Sequence, residues 1–176
     1  MTTPRLTLRP FRPSDADALY AYLSDPEVVR FEPYEPFTRE ACTQEAADRA
    51  ASDAFCAVCL QSGEVIGNLY VGQKDDRSFE IGWVFNRAYW HHGYATEAAA
   101  RMLAYLFDEK HAHRVCAMCD PRNPPSWRLM ERLGMRREAL LHKNVAFRKD
   151  AQGLPLWQDT YIYALLDEEW IKRDKR

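Results

Sequence analysis

The sequence has no long apolar run. Nothing in its 176 residues approaches the roughly 20 consecutive apolar positions that a bilayer-spanning helix needs. The N-terminal stretch MTTPRLTLRPFRPSD also lacks the apolar segment of a secretory leader. The expectation is therefore a cytoplasmic protein with no membrane partner. There is no excess of either charge. Lys and Arg number 24 against 26 Asp and Glu, a formal net charge of −2. That balance offers no generic surface for a polyanion, so nucleic acid is not an expected partner. Repeats, low-complexity segments and domain boundaries are missing as well, and residues 1–176 read as one domain. What remains is 47% apolar, enough for a core of its own.

Five cysteines include two CxxC pairs, Cys56–Cys59 in AFCAVCLQ and Cys116–Cys119 in RVCAMCD. The spacing is that of half a zinc site. Both pairs lie in β-type runs, without a Gly or Pro to turn the chain. In a strand, residues three apart point to opposite faces, so neither pair can grip one ion. The expectation is buried, inert thiols and no metal; a structural metal protein built on these pairs is the competing reading.

Along the chain, RLTLRPF (5–11) alternates as a strand, and Ser14 is placed to cap a short helix over DADALYAYLSD. The proline- and aromatic-rich DPEVVRFEPYEPF reads as an ordered loop. Thr38 can cap a helix over REACTQEAADRA. Three strands follow: AFCAVCLQ, EVIGNLYVGQ and SFEIGWVF. A long helix is predicted over 94–109, then the strand RVCAMC and the short helix SWRLMERL, stopped by Gly134. MRREALLHKNVAFR and WQDTYIYALL read as two final strands, and DEEWIKRDKR as a terminal helix. The fold class is α+β: a mixed, mostly antiparallel sheet of six to seven strands, with helices on both faces. A parallel crossover is expected across 78–119.

The stretch YWHHGYATEAAARMLAYLF (89–107) carries a chemical signal. A loop that enters a helix N-terminus presents unpaired N–H groups and the positive end of the helix dipole. Gly93 permits a tight turn there and close approach of a phosphate. An ordinary turn has the same pattern, so the glycine alone decides nothing. Adjacent histidines diverge and make a poor metal site, which leaves His91 and His92 as loop positions. Asn123 precedes Pro124 and Pro125, and proline biases it to the extended backbone of an N-cap.

EIGWVFNRAYWHHGYATEA, followed by CDPRNPPSWRLMERLGMRREA, resembles the GNAT acetyltransferase superfamily. It most resembles the branch of ribosomal-protein-alanine N-acetyltransferases (RimJ/RimL-like). The family's acetyl-CoA loop reads Gln/Arg-x-x-Gly-x-Gly/Ala; here it is Trp90-His91-His92-Gly93-Tyr94-Ala95, with Trp90 departing from the consensus. The resemblance implies an acetyl-CoA-dependent N-acetyltransferase with a splayed central pair of strands. It places Trp83, Val84 and Phe85 along the acetyl-pantetheine path. His91, His92, Gly93, Tyr94, Ala95 and Thr96 would hold the pyrophosphate, with Asn123 on the pantetheine side. Ser126 would be the proton donor to the departing CoA thiolate. Arg128 and Arg132 are candidates for the CoA phosphates or are simply solvated.

Amide formation also needs an acceptor for the amine proton. Alternation sets Glu80, Gly82 and Val84 on one face of SFEIGWVF. In many GNAT enzymes a glutamate on this strand is the base; the competing reading of Glu80 is a solvated charge or an ion pair. The acceptor is read as a primary amine, first a protein N-terminal α-amine, alternatively a polyamine, antibiotic or amino acid. Glu32, Tyr34, Glu35 and Asp159 are candidates for an acidic, aromatic entrance for it; the competing reading, which the sequence favours for any one of them, is ordinary loop residues. A GNAT-fold acyl-CoA-binding protein without turnover is the non-enzymatic alternative. Dimers are common in the resembling branch, so a homodimer is expected.

Overall fold

The computed structural model describes residues 1–173. The elements run β1 (Leu6–Pro10), α1 (Ala16–Leu23), α2 (Arg39–Ala50), β2 (Phe55–Leu60), β3 (Val65–Asp75), β4 (Ser78–Phe85), α3 (Tyr94–Ala104), β5 (Arg114–Cys119), α4 (Pro124–Arg132), β6 (Arg136–Val145), β7 (Gln158–Leu166) and α5 (Asp167–Arg173). The seven strands form one open sheet in the order β1-β2-β3-β4-β5-β7-β6. Every pairing is antiparallel except β4 with β5, which is the expected crossover through α3.

Each face of the sheet buries a separate core. On one side α1 and α2 cover Ala57, Cys59, Val65 and Val84, with Leu19, Tyr22, Leu23, Cys42 and Ala46 facing them. On the other, α3 and α4 supply Ala98, Ala99, Met102, Leu103, Leu129 and Met130 against Val58, Leu69, Ile81, Phe85 and Val115. The two faces reflect the period of two along each strand. That period also splits each CxxC pair. Cys59 lies in the α1/α2 core while Cys56 packs on the α3/α4 side, and Cys119 packs there too, three residues from Cys116. All five thiols are free. Among the described residues no group of three or more His, Cys, Asp and Glu is placed to hold a metal ion. No described helix is long and apolar enough to cross a membrane.

Several local expectations need correction. Ser14 does not cap α1. Pro13–Asp15 form a 3-10 turn instead, and the Asp15 carboxylate accepts from the Arg12 N–H at 2.8 Å and from Arg9 at 2.7 and 2.8 Å. Burial alone would raise the Asp15 carboxyl; Arg9 and the Arg12 N–H hold it below the ordinary carboxylate value. A buried carboxylate needs such partners more than a helix needs a serine cap. Thr38 does cap α2, accepting from the Ala41 N–H at 3.2 Å. The helix from Tyr94 changes to a π-turn over Tyr105–Glu109, which still buries Leu106 and Phe107. Gly134 ends α4 region with φ +78°. The terminal helix is observed to Arg173; its last three predicted residues lie outside the described ones.

Candidate active site

The central feature is a fork between β4 and β5. The two strands pair only at Ser78–Arg114, Phe79–Val115 and Glu80–Cys116. Beyond that point each keeps its outer neighbour. β4 stays on β3 through Phe85, and β5 stays on β7 through Cys119. A wedge therefore opens inside the sheet, lined by backbone groups with no strand opposite. Its orientation follows from one bond, the Asn86 N–H to the Ile66 carbonyl at 2.9 Å. Antiparallel alternation then directs the N–H and C=O of Val84, Gly82 and Glu80 toward β3. Those of Ile81, Trp83 and Phe85 turn into the wedge.

Of the three predicted path residues, Trp83 and Phe85 thus turn their backbone to the fork. Val84 pairs with Asn68 on β3 and sends its side chain into the α1/α2 core. The Phe85 carbonyl is already engaged by the Trp90 indole N–H at 2.8 Å. This gives the non-consensus Trp90 a job that its sequence did not disclose: it ties the loop to the end of β4.

The loop after Trp90 is exposed and turns sharply. His91 has φ +65° and Gly93 φ +79°. Gly93 is the N-cap of α3, and the first intrahelical bond runs from the Glu97 N–H to the Gly93 carbonyl at 3.0 Å. The N–H groups of Tyr94, Ala95 and Thr96 have no helical partner, as at any helix start. Among the described residues no acceptor is recorded for the N–H groups of His91, His92 and Gly93 either. The loop is braced from behind. Arg5 donates to the His92 carbonyl at 3.0 Å, pairs with Glu97 at 2.6 Å and lies over the Tyr94 ring. His92 Nδ1 is 2.8 Å from the Trp90 carbonyl, and its ring stacks on Tyr94. The His92 ring therefore braces the loop from within, and His91 contributes its positive-φ turn. Arg132 reaches the same helix start, 3.4 Å from Thr96 Oγ1, whereas Arg128 lies over the Trp127 ring.

Two further predicted residues border the fork. Glu80 sits at the last β4–β5 pair, on the α1/α2 face, with its Oε2 2.6 Å from Lys74 Nζ. Beside it Tyr70 lies over Gly72, whose missing side chain makes room for the ring: a Cβ there would meet the Tyr70 hydroxyl at 2.2 Å. Across the wedge, the Ser126 hydroxyl lies beside the Cys119 thiol at the end of β5. Burial pushes that thiol up to about 12 despite the hydroxyl's opposing pull. Asn123 occupies the N-cap of α4 with φ −105° and ψ 73°, and its side chain makes no capping bond. The expected extended cap is corrected here. The Asp120 carboxylate and the two prolines already fix the turn, and the Asn123 amide stays uncommitted.

The residues read as candidates for an acidic entrance have other partners. Glu35 is paired with Arg148 at 2.9 Å, and Asp159 accepts from the Lys143 N–H at 2.8 Å and faces His142. Glu32 is half-buried. Loss of water pushes its carboxyl up to about 7, against the pull of the Arg49 charge and a hydrogen bond from Tyr34. A cleft at this end of the sheet is lined instead by Arg30, Arg122 and Arg148, with Phe31 and Gln158. No periodicity in the sequence flags these arginines, because they come from three separate loops or element ends.

The sequence and the fold are matched by known proteins. The Acetyltransferase (GNAT) domain family matches residues 5–136 of the chain. The chain belongs to the GNAT acetyltransferase family. A relative named uncharacterized N-acetyltransferase YnaD, from Bacillus subtilis (strain 168), is 38% identical over 173 residues, covering 97% of this chain and 98% of the relative. A GNAT-family acetyltransferase from Bacillus anthracis has a crystal structure with TM-score 0.88 and 36% identity, covering 96% of this chain and 99% of that one. Spermidine N-acetyltransferase from Vibrio cholerae, solved in complex with CoA and spermine, shares the fold with TM-score 0.80 at 18% identity, covering 96% of this chain and 99% of that one. The protein is thus an N-acetyltransferase of a family that uses acetyl-CoA.

Proposed function

We propose that this GNAT enzyme transfers an acetyl group directly from acetyl-CoA to a primary amine, with a protein N-terminal α-amine as the leading acceptor. The observation that carries the reading is the fork. A wedge lined by the free backbone of Ile81 and Trp83 has Glu80 on one side and Ser126 on the other, and ends at the helix start of α3. Acetyl-CoA would supply an activated acyl group there, with its pyrophosphate held by the N–H groups of 91–96. An N–H on β4 turned into the wedge is the donor available to the thioester oxygen. Glu80 takes the proton that the amine must lose, directly or through water. Ser126 returns a proton to the departing sulfur.

The preference for an N-terminal α-amine rests on the RimJ/RimL-like pattern of GYATEA and N-x-x-S…LGM. In keeping with that branch the protein is read as a cytoplasmic homodimer, which sedimentation of the purified chain checks. The direct test is calorimetric titration with acetyl-CoA, followed by thiol release against N-terminal peptides and small amines. Micromolar one-to-one binding with peptide-dependent release is the expected result. Binding without release to any amine would leave an acyl-CoA-binding protein. Release only to small amines would move the acceptor class.

A further inference from the structure

The basic cleft at the entrance belongs to no step described so far. It is an open groove of about 220 Å³ lined by Arg30, Phe31, Arg122, Arg148 and Gln158. Its position is fixed by the chain. Arg122 follows the end of β5 by three residues and precedes Ser126 by four. Gln158 opens β7, beyond the last β5–β7 pair at Cys119–Tyr161. Arg30 and Phe31 belong to the loop that joins α1 to α2. The cleft therefore stands at the end of the sheet where the fork opens, on the α1/α2 side. The loop of 91–96, by contrast, leads into α3 on the opposite face.

The three arginines play different parts. Arg148 is a clamp. Its Nε pairs with Glu35 at 2.9 Å, Nη1 donates to the Arg30 carbonyl at 2.7 Å, and Nη2 donates to the Val29 carbonyl at 3.3 Å and the Tyr34 carbonyl at 3.5 Å. It holds the α1–α2 loop in place and adds a fixed positive charge. Arg122 spends Nε and Nη2 on Asp120, and Arg30 has one exposed ion pair, 3.3 Å from Glu27, with its guanidinium 5.3 Å from the centre of the Phe31 ring. Among the described residues no acceptor stands opposite Arg122 Nη1 or Arg30 Nη2. Each arginine has a carboxylate partner, but Glu27, Glu35 and Asp120 do not line the cleft. The cleft is thus bounded by three arginines, one carboxamide and the Phe31 side chain, and the partner carboxylates are not among its lining residues. Exposed pairs such as Arg30–Glu27 are worth little and yield readily to a better acceptor. A planar fork of N–H donors matches a carboxylate or phosphate.

Resting on the acetyl-transfer reading above, we propose that the acceptor carries an oxyanion tethered to its primary amine. Arg30 and Arg122 read that group, within a wall held by Arg148. The shared chemistry has two sources: an acidic side chain near the N-terminus of a peptide, or the carboxylate or phosphate of a small amine. The cleft is too small for a drug-sized ligand but has room for such a group.

Acceptor pairs differing only in the anion test this. They are Ala-Asp against Ala-Asn at the start of an otherwise identical peptide, and phosphoethanolamine against ethanolamine. The wild type is expected to favour the anionic member of at least one pair by roughly tenfold or more in kcat/KM. The pair that shows the preference identifies the source. In the Arg30→Gln, Arg122→Gln double variant the ratio should fall to near one while acetyl-CoA affinity stays at the wild-type value; the melting temperature should fall, because Asp120 loses its guanidinium partner. A wild-type ratio of one in both pairs overturns the inference and leaves acetyl transfer standing. Loss of acetyl-CoA affinity in the double variant also overturns it, since the cleft would then serve the cofactor. If no amine is acetylated, the transfer reading fails, and binding of glutarate and inorganic phosphate, followed by NMR, still decides the cleft. Saturable binding that the double variant abolishes upholds the anion site; no binding sinks it.

Discussion

Replacing Gly93 by Ala, Asn and Asp separates backbone strain from charge at the phosphate loop. Gly93 has φ +79°, and a Cβ added to it meets nothing closer than Arg5 Nη2 at 3.5 Å. Space is therefore available, and the cost of a side chain is conformational. Alanine in a left-handed conformation costs about 1–2 kcal/mol. Asparagine and aspartate tolerate that region better, and they match each other in shape. Aspartate differs from asparagine by a negative charge at the N-cap of α3. In the free protein that charge meets the positive end of the helix dipole and should stabilise by about 0.3–1 kcal/mol relative to asparagine. With acetyl-CoA the sign reverses. Two unit charges about 5 Å apart in a water-like medium repel by roughly 0.8 kcal/mol. A pyrophosphate carrying two charges would then lose about 1.7 kcal/mol, roughly a tenfold to twentyfold weaker affinity. Thermal unfolding without ligand and acetyl-CoA calorimetry should thus rank Asp and Asn in opposite orders. Equal acetyl-CoA affinities for the two variants would refute the placement of the pyrophosphate at this loop.

Three further outcomes are expected. Glu80→Gln should lower turnover by about a hundredfold with acetyl-CoA affinity retained, and pre-steady-state acetyl transfer measures both; wild-type turnover removes Glu80 as base. Ser126→Ala should reduce kcat more than it changes acetyl-CoA binding, read by thiol release and calorimetry; an unchanged kcat takes the hydroxyl out of the reaction. Glu32 gives a pH signature, because its carboxyl is raised from 4.5 to about 7 in the folded chain. The folded state then binds the proton more tightly than the unfolded one. That contribution is full below about pH 4.5 and is lost as pH rises through about 7, at most about 3 kcal/mol. Glu32→Gln should flatten the decline of melting temperature between pH 5 and 8; a decline as steep as wild type would refute the burial argument.

Much of the fold was legible because its signals are local and periodic. Alternation in SFEIGWVF set the two faces of β4, and the small residues after Gly93 marked the helix that packs on one of them. The same period of two set Cys59 in the α1/α2 core and Cys56 on the other face, packed against the α3/α4 core. Ser14 misled because the competing signal is tertiary in effect: the Asp15 carboxylate is claimed by Arg9 from the neighbouring strand. The π-turn at Tyr105–Glu109 was invisible because its residues keep the apolar pattern of an α-helix. At the site, the loop of 91–96 could be found from Gly93 and its helix, but the Trp90–Phe85 bond could not. It needs the loop to fold back over the end of β4.

The α1/α2 side of the fork shows why a list of charges in the sequence fails to predict the sign of a cleft. Glu32, Glu35 and Asp159 are acidic in the sequence, yet each is committed or withdrawn: one by loss of water, one by Arg148, one by a backbone N–H. The same contacts explain the positive cleft. Arg148 can fix the α1–α2 loop only because Glu35 and three carbonyls receive its hydrogen bonds. Asp120 likewise fixes Arg122 from the side away from the cavity. A carboxylate that orients an arginine leaves the remaining N–H groups of that arginine aimed elsewhere. The sign of a pocket is therefore set by which atoms reach it. A chain with a net charge of −2 can present a cleft lined by arginines without any basic patch in its composition.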